Sequence, residues 1–345
     1  MPFRNSKTLK IKMEYGNYLG RNEGCFELKR KDGKIEKYSH YSKIVGECIL
    51  KSGSYVSVDA LIDLALWDID TFIVTKRNRV VAILKNIEDD SHVETRINQY
   101  KALENKKGIE IAKQFVTSKI EGNNQVLKKY GLMIEDTMRV KSQIESIESD
   151  NLEAVRRKLT AIESHNAQFY FKQIFGLIPE KIRPKNRETF KAYDGINNVF
   201  NFGYYVLRCR IHKVLINAKL EPYLGYLHTT QFSKPSLVCD FQELYRYLID
   251  DYLIERCQKM HKNDFVVITD FMMHLKMGKK IHLKEYETDS LAEGLNNLFN
   301  KMVEIPRIKH GKKQTIDTLI SEEALLFAKY LRNERQNWNP RQVTI

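Results

Sequence analysis

Short runs in which apolar residues stand between polar ones open the chain, and this pattern predicts β-strands. The runs 25–30 and 34–38 flank the tripeptide Lys31-Asp32-Gly33. Asp-Gly is a preferred sequence for the tight turn of a β-hairpin, because both residues tolerate a positive φ. The pattern therefore predicts an antiparallel pair of strands in this segment.

A second pair of short apolar runs, 71–75 and 80–84, is separated by four polar residues and predicts another hairpin. A short helix is expected just before it, over residues 58–67. Together these elements predict a β-rich N-terminal domain that covers residues 1–86.

The spacing of apolar residues then changes to a helical period after a polar segment, which we interpret as a linker at 87–92. Leu237, Phe241, Leu244 and Leu248 illustrate the change, since they recur every three or four residues. We expect residues 93–345 to form an all-helical domain. The predicted fold class is α+β multidomain, and a length of 345 residues suits two cores.

Asp240 interrupts this apolar stripe, because it follows Leu237 by three residues and precedes Leu244 by four. A carboxylate in a core-facing position is costly unless it is paired. Glu243 lies one turn further on the same side of the helix, so two carboxylates are placed together. A bound cation would offset their repulsion and their desolvation. An ion pair between Glu243 and Arg246 is the simpler alternative.

His228 favours the metal interpretation, because it closes the run Gly225-Tyr226-Leu227-His228 only a short loop before the helix. A neutral imidazole beside carboxylates is a common set of transition-metal ligands. A single histidine is nevertheless more often structural than a ligand. The residues by themselves leave both interpretations open.

Charge and cysteine content narrow the class of protein. The chain carries 57 Lys and Arg against 44 Asp and Glu, a net charge of +13, which favours nucleic acid as a partner. A Lys-rich surface that only maintains solubility is the alternative. The five cysteines include no Cys-x-x-Cys pair, which argues against a disulfide framework or a zinc site. No run approaches the about 18 apolar residues of a membrane span, so we expect a cytoplasmic protein without membrane contact.

Four segments of the chain, read in order, resemble the Cas1 family, the CRISPR-associated integrases of spacer acquisition. The segments are 163–170 (ESHNAQFY), 194–204 (DGINNVFNFGY), 225–228 (GYLH) and 236–243 (SLVCDFQE). Their order and spacing match the family, and the resemblance extends over nearly the whole chain. The departures are mild, since the family often has leucine at Phe200 and tyrosine at Phe202, and a bulky apolar group is kept at both.

The resemblance implies a metal site. The family's ligands are a glutamate in the first segment, the histidine of the third and the second acidic residue of the fourth, which correspond here to Glu163, His228 and Glu243. Asp240 corresponds to a neighbouring acid that supports catalysis. Periodicity does not single out Glu163, which is selected by the resemblance alone. These four residues are the expected catalytic residues, and Mg²⁺ or Mn²⁺ is the expected metal.

The resemblance also implies an activity and partners. It implies a metal-dependent DNA endonuclease and integrase in which a prespacer 3′-hydroxyl attacks a phosphodiester of the CRISPR array, with the reverse reaction also accessible. The β-rich domain would serve dimerisation and the helical domain catalysis. The implied partners are double-stranded DNA, a second copy of the chain and the small Cas2 protein.

Polar residues in or near the matched segments are candidates for DNA contacts. They are Arg187, Asn197, Asn201, Tyr204 and Arg246. Asn197 and Asn201 lie four residues apart on one helix face, so capping or packing explains them equally well. Tyr170 has two interpretations too, support of the metal site or simple packing.

The end of the sequence shows weaker patterns. Ser321, followed by two glutamates, suits the start of a final helix. Residues 336–345 have no apolar period, so we expect them to fray, with Trp338 as the side chain available to dock on the domain.

Two other functions are compatible with these residues. A related transposon-type integrase or a repair nuclease would share the metal site and differ in its DNA and partners, so the genomic neighbourhood would separate them. A non-catalytic, basic nucleic-acid scaffold belongs to another class, with its acidic cluster as a solvated face. Its DNA affinity would survive Glu163→Ala, with no activity to lose, and would fall with salt according to its number of phosphate contacts.

Overall fold

The computed structural model describes most of the chain and divides it into two compact units, 1–93 and 94–345. The described residues are 9–22, 25–39, 45–67, 69–84, 92–134, 136–189, 192–229, 234–270, 278–304 and 313–345. The predicted linker at 87–92 lies outside these residues except at its last position, where a helix begins.

Two four-stranded sheets form the first unit. One has the order β1 (Leu9–Lys12), β5 (Val45–Lys51), β7 (Asp70–Val74) and β8 (Val80–Leu84). The other has the order β4 (Ile35–Ser39), β3 (Cys25–Lys29), β2 (Tyr18–Asn22) and β6 (Tyr55–Val56). Both expected hairpins are present, because β3 pairs antiparallel with β4 and β7 with β8. The predicted β-rich beginning of the chain is confirmed.

Side chains that alternate between the two faces of each strand explain the core of this unit. Phe26 and Leu28 of β3 are fully buried, while the intervening Glu27 points to the other face. Gly33 has a φ of 87° in the turn after β3, a conformation that glycine adopts without strain. The expected short helix is α1 (Val58–Leu66), and the Ser57 side chain caps it by accepting from the Ala60 N–H.

Helices dominate the rest of the chain, as expected. They are α2 (His92–Leu103), α3 (Lys106–Lys129), α4 (Thr137–Glu145), α5 (Leu152–Phe175), α6 (Gly195–Asn217), α7 (Ser236–Glu243), α8 (Arg246–Cys257), α9 (Glu285–Asn300) and α10 (Ile316–Leu331). Gly203 lets α6 approach α8 closely, because a Cβ there would lie 2.9 Å from Leu253 Cδ1. In the described part of the chain no helix is long and apolar enough to span a membrane.

The expectation of an all-helical second domain is wrong in detail. Strands β9 (Phe265–Asp270) and β10 (Gly278–Leu283) pair antiparallel, as do β11 (Met302–Glu304) and β12 (Lys313–Thr315). The run Val266-Val267-Ile268-Thr269 consists of β-branched residues, which favour strands. A helical period on both sides of this run obscured it.

Two expectations for the end of the chain are also corrected. Helix α10 begins at Ile316 rather than near Ser321, because the Thr315 side chain caps it by accepting from the Thr318 N–H. The expected fraying of 336–345 is wrong for residues 338–343, which pack against the helices of the second unit and include Trp338, only 4% exposed. The docking of Trp338 is therefore present, and it orders the segment around it.

Candidate active site

Asp240 on α7 is fully buried and fixes the loop that carries His228. Its Oδ2 accepts from the backbone N–H groups of Tyr226 and Leu227, at 2.6 and 3.0 Å. Its Oδ1 accepts from the His228 N–H at 2.9 Å and lies 2.7 Å from His228 Nδ1. A buried carboxylate is tolerated when donors surround it, so this loop explains the acid in an apolar stripe.

His228 is held in one tautomer by the same carboxylate. Asp240 Oδ1 already accepts a backbone N–H, and a carboxylate can only accept, so the proton lies on Nδ1 of His228. In the neutral form of this ring, Nε2 keeps its lone pair. The side chain of His228 is 32% exposed, so this nitrogen belongs to a group that reaches the surface. A carboxylate behind a histidine in this way is typical of metal ligands.

Glu163 and Glu243 share one cation, Lys119 of α3. The Lys119 ammonium forms an ion pair with Glu163 and lies 2.8 Å from Glu243 Oε2. The side chains of Lys119 and Glu243 are only 7% and 2% exposed. The two carboxylates come from α5 and α7 respectively, so packing against α3 brings their oxygens within reach of a single positive charge.

A hydrogen bond sets the register of the two helices on which Lys119 and Glu163 lie. Asn123 Nδ2 on α3 donates to Asn166 Oδ1 on α5 at 2.7 Å, and both side chains are buried. Asn123 is one turn beyond Lys119, and Asn166 is one turn beyond Glu163. This bond therefore aligns the cation with its carboxylate.

Arg246, the first residue of α8, supplies a second cation. Its Nη1 lies 3.3 Å from Glu243 Oε1, so the ion pair considered as an alternative is present. Burial raises the pKa of Glu243, but Arg246 and Lys119 outweigh it and lower the pKa to about 2. Glu243 is therefore ionised at neutral pH although it lies in the interior.

The side chains of Glu163, Glu243 and His228 are of the types that bind a divalent cation, but their present spacing is too wide to hold one. Two carboxylates that meet at one ammonium, together with a neutral imidazole, are a donor set suited to Mn²⁺ or Mg²⁺. Among the described residues, however, no group of three or more His, Cys, Asp and Glu side chains is close enough to hold a metal. Lys119 lies where the oxygens of Glu163 and Glu243 converge.

A buried acid on α8 supports the neighbouring aromatic residues. Asp250 accepts from the Tyr170 hydroxyl at 3.0 Å and from the Tyr204 hydroxyl. Burial raises the pKa of Asp250 to about 6, although both tyrosines and Arg246 lower it. Tyr170 therefore packs in the core and bonds Asp250, with no contact to the proposed metal ligands among its described hydrogen bonds.

Two arginines converge on Tyr204. The guanidinium carbons of Arg246 and Arg187 lie 4.7 and 5.4 Å from the centre of its ring, within the range of cation–π attraction. Arg187 also donates to Asn197 Oδ1 at 2.9 Å and to Asn201 Oδ1 at 2.6 Å. All five candidate DNA contacts thus lie in one neighbourhood.

Asn197 has a structural role within that neighbourhood. It is fully buried, and its Nδ2 donates to the Asn186 carbonyl and to Asp194 Oδ2, at 2.8 and 2.7 Å. The Asp194 side chain caps α6 by accepting from the Asn197 N–H. Asn197 therefore fixes the start of the helix and orients Arg187, whereas Asn201 is only partly buried.

Sequence reasoning missed Lys119 and Asp250. Lys119 lies four residues after the buried Phe115, where the period of α3 calls for an apolar side chain. Asp250 lies between Ile249 and Leu253, which are both fully buried. The interruption that drew attention to Asp240 was thus available at both positions.

Comparisons with known proteins address the family. The family model described as CRISPR associated protein Cas1 matches residues 11–288. A CRISPR-associated endonuclease Cas1 of Francisella tularensis subsp. novicida (strain U112) is 29% identical over 262 residues, which cover 72% of this chain and 79% of that protein. A CRISPR-associated endonuclease Cas1 of Korarchaeum cryptofilum (strain OPF8) is 27% identical over 276 residues, covering 73% and 81%.

Solved structures share the fold. A Cas1 protein from Thermotoga maritima superposes with a TM-score of 0.69 at 17% identity, covering 96% of this chain and 99% of that one. A casposase bound to an integration product superposes with a TM-score of 0.70 at 20% identity, covering 96% and 97%. At these identities the likeness concerns the architecture alone.

Proposed function

Because the chain belongs to the Cas1 family, as the match over residues 11–288 shows, we propose that it is a DNA endonuclease and integrase of CRISPR adaptation. The relatives from Francisella and Korarchaeum are named endonucleases. Similar folds include a Cas1–DNA complex and a complex that contains Cas2. The observation that carries the proposal is the meeting of Glu163 and Glu243 at Lys119, with His228 held by Asp240 on the same helix as Glu243.

The proposed reaction is a transesterification. A 3′-hydroxyl at the end of a prespacer attacks a phosphodiester of the CRISPR array. A new phosphorus–oxygen bond forms while the bond to the displaced 3′ oxygen breaks, and that oxygen leaves as a hydroxyl. The number of phosphodiester bonds is unchanged, so the step needs no other reactant and can run in reverse.

Glu163, Glu243 and Nε2 of His228 are the proposed ligands of a Mg²⁺ or Mn²⁺ ion. A bound metal would supply Lewis acidity there, lowering the pKa of a hydroxyl and neutralising charge on a phosphate. Asp240 keeps the proton on Nδ1 of His228 and thereby keeps Nε2 available. Arg246 and Lys119 keep the carboxylate of Glu243 ionised, and the Lys119 ammonium brings the carboxylates of Glu163 and Glu243 together.

DNA contacts are proposed for the arginines on Tyr204. Arg187 and Arg246 would bind phosphates, Asn201 would donate to the backbone, and Tyr204 would orient both cations. Asn197 would act through Arg187 rather than touch DNA. We further propose a cytoplasmic homodimer that uses the β-rich unit for dimerisation and assembles with Cas2.

The test is to join a labelled DNA end bearing a 3′-hydroxyl to a supercoiled plasmid, with Mn²⁺ or Mg²⁺ and with or without Cas2. We expect Glu163→Ala, His228→Ala and Glu243→Ala each to abolish joining. The exposed Glu293 of α9 provides the matched control, so Glu293→Ala should join DNA like the wild type. Joining at the wild-type rate by all three site variants would refute the assignment, and a wild type inactive even with Cas2 would favour the scaffold.

A transposon-type integrase is the second candidate, because the fold of a casposase is as similar as that of a Cas1 protein. The same assay separates the two when the target is varied. Preference for a leader and repeat junction supports CRISPR adaptation, whereas preference for ends with terminal inverted repeats supports a mobile element.

A further inference from the structure

Residues 338–343, which follow α10, pack on the second unit and form what we call the docking strap. Trp338 of the strap inserts among Phe327, Phe115 and Phe241, with ring centres 4.6, 5.2 and 6.0 Å away. Its Nε1 donates to Glu323 Oε1 at 2.8 Å. The strap lies beyond the residues 11–288 that the family model matches.

A buried ion pair anchors the strap on α10. Arg341 Nε donates to Glu323 Oε2 at 2.8 Å, and both residues are buried. Glu323 therefore binds the strap at two points, through Trp338 and through Arg341. Removing one partner of such a buried pair is costly, so the strap is fixed and does not lie loosely on the surface.

Two of the aromatic contacts lead directly to the site. Phe115 lies four residues before Lys119 on α3, so their side chains share a helix face. Phe241 lies on α7 between Asp240 and Glu243. The indole of Trp338 therefore packs against the two helices that bring Lys119 and Glu243 together.

Polar contacts extend the strap to the backbone of α3 and to α8. Gln342 Nε2 donates to the carbonyl of Ser118, the residue before Lys119. The Tyr247 hydroxyl donates to the Val343 carbonyl and accepts from the Val343 N–H, both at 2.8 Å. Tyr247 directly follows Arg246, the second cation on Glu243.

We infer that the docking strap positions Lys119, Glu243 and Arg246 relative to one another, and that Trp338 and Gln342 are positioning residues for the site. The strap is bonded to α3 and α8 and packed on α7, so it fixes the spacing of three helices that each supply one charge. A displacement of about 1 Å at a catalytic group can cost about 100-fold in rate. The part of the inference that concerns the reaction rests on the proposed function.

The experiment compares two glutamines that contact each other. Gln342 and Gln125 are joined by a hydrogen bond of 3.3 Å, but Gln342 alone also donates to Ser118. Gln342→Met and Gln125→Met in the full chain therefore remove the same group and the shared bond, and differ in the bond to the backbone beside Lys119. Trp338→Phe is a second strap variant, which keeps an aromatic ring and loses the bond to Glu323.

Calorimetry with Mn²⁺, amide hydrogen exchange along α3 and the joining assay are the measurements. We expect Gln342→Met and Trp338→Phe to weaken Mn²⁺ binding and lower kcat by about 3- to 10-fold with KM nearly unchanged, and to speed exchange around Lys119. Gln125→Met should stay within about two-fold of the wild type, because it leaves the bond from Gln342 to the Ser118 carbonyl in place.

Equal Mn²⁺ affinity and equal exchange rates in all three variants would overturn the inference, even if their unfolding temperatures fell. If the wild type neither joins DNA nor binds Mn²⁺, the proposed function fails. Faster exchange around Lys119 in the strap variants would then still support the positioning role, and unchanged exchange would refute it.

Discussion

Asp240→Asn tests how the His228 loop is built, because an amide can replace only one of the two carboxylate oxygens. The oxygen of the new amide can keep the bonds from Tyr226 and Leu227 if it takes the place of Oδ2. The NH₂ group then faces the His228 N–H and Nδ1, where both partners now meet a donor. The backbone N–H cannot adapt, whereas the imidazole can move its proton to Nε2 and accept at Nδ1.

The expected loss of unfolding free energy in Asp240→Asn follows from these four bonds. The part-buried His228 N–H, left without its acceptor, costs about 1–3 kcal/mol, and two bonds that lose their charge assistance cost about 1 kcal/mol each. We therefore expect Asp240→Asn to lower the free energy of unfolding by about 3–5 kcal/mol, which a domain with about 5–15 kcal/mol survives. Its larger effect is chemical, because a protonated Nε2 has no lone pair for a metal and Mn²⁺ binding should fall at least tenfold.

Denaturant unfolding, Mn²⁺ calorimetry and ¹⁵N NMR of the His228 ring measure the three parts of this prediction. Asp289→Asn on α9 is the matched control, since Asp289 is exposed and the change in charge is identical. The reasoning is refuted if Asp240→Asn unfolds within about 1 kcal/mol of the control and keeps the His228 proton on Nδ1.

Three further predictions concern pH, packing and the metal. Burial raises the pKa of Asp250 from 3.8 to about 6. The stability that this carboxyl contributes is therefore fully present below pH 3.8 and is lost as the pH rises through 6. Asp250→Asn should remove about 3 kcal/mol of the decline in unfolding free energy between pH 4 and 7. A variant with the wild-type pH dependence would contradict this. Phe327→Ala should lower the unfolding free energy by about 3–5 kcal/mol, since the ring is fully buried and packs on Phe115 and Phe241. A loss under about 1 kcal/mol would contradict this, because it would mean that neighbouring side chains fill the cavity. Joining should be faster with Mn²⁺ than with Mg²⁺ at matched concentrations because His228 is a nitrogen ligand, and equal or slower rates would count against that ligand.

The elements that the sequence predicts well are those set by neighbours in the chain. The hairpin of β3 and β4 follows from Asp32-Gly33, and α7 follows from the spacing of Leu237, Phe241 and Leu244. Strands β9 and β10 are indicated only by a single β-branched run, and the helical period of apolar residues on both sides of that run indicates helix instead. Local signals thus identify an element where turn chemistry and period agree.

The sequence does not predict which residues of distant helices come into contact. Lys119 meets Glu163 and Glu243 only because α5 and α7 pack against α3, and no spacing along the chain encodes that meeting. The resemblance to the Cas1 family identified Glu163 as a candidate ligand, but it did not predict that Lys119 is the cation paired with Glu163. The docking of Trp338 depends in the same way on aromatic residues of α3, α7 and α10.

Buried charges that interrupt an apolar stripe share a sequence signal but differ in what they do. Glu323 on α10 is fully buried between Ile320 and Phe327, and its bonds go to Trp338 and Arg341, which are themselves buried. Asp240 is equally buried, yet one of its partners is a histidine whose side chain is 32% exposed. A buried carboxylate whose partners are all interior stabilises the fold, whereas one that orients a group at the surface can set the chemistry of that group. The exposure of the partner, which only the folded chain provides, is what separates the two.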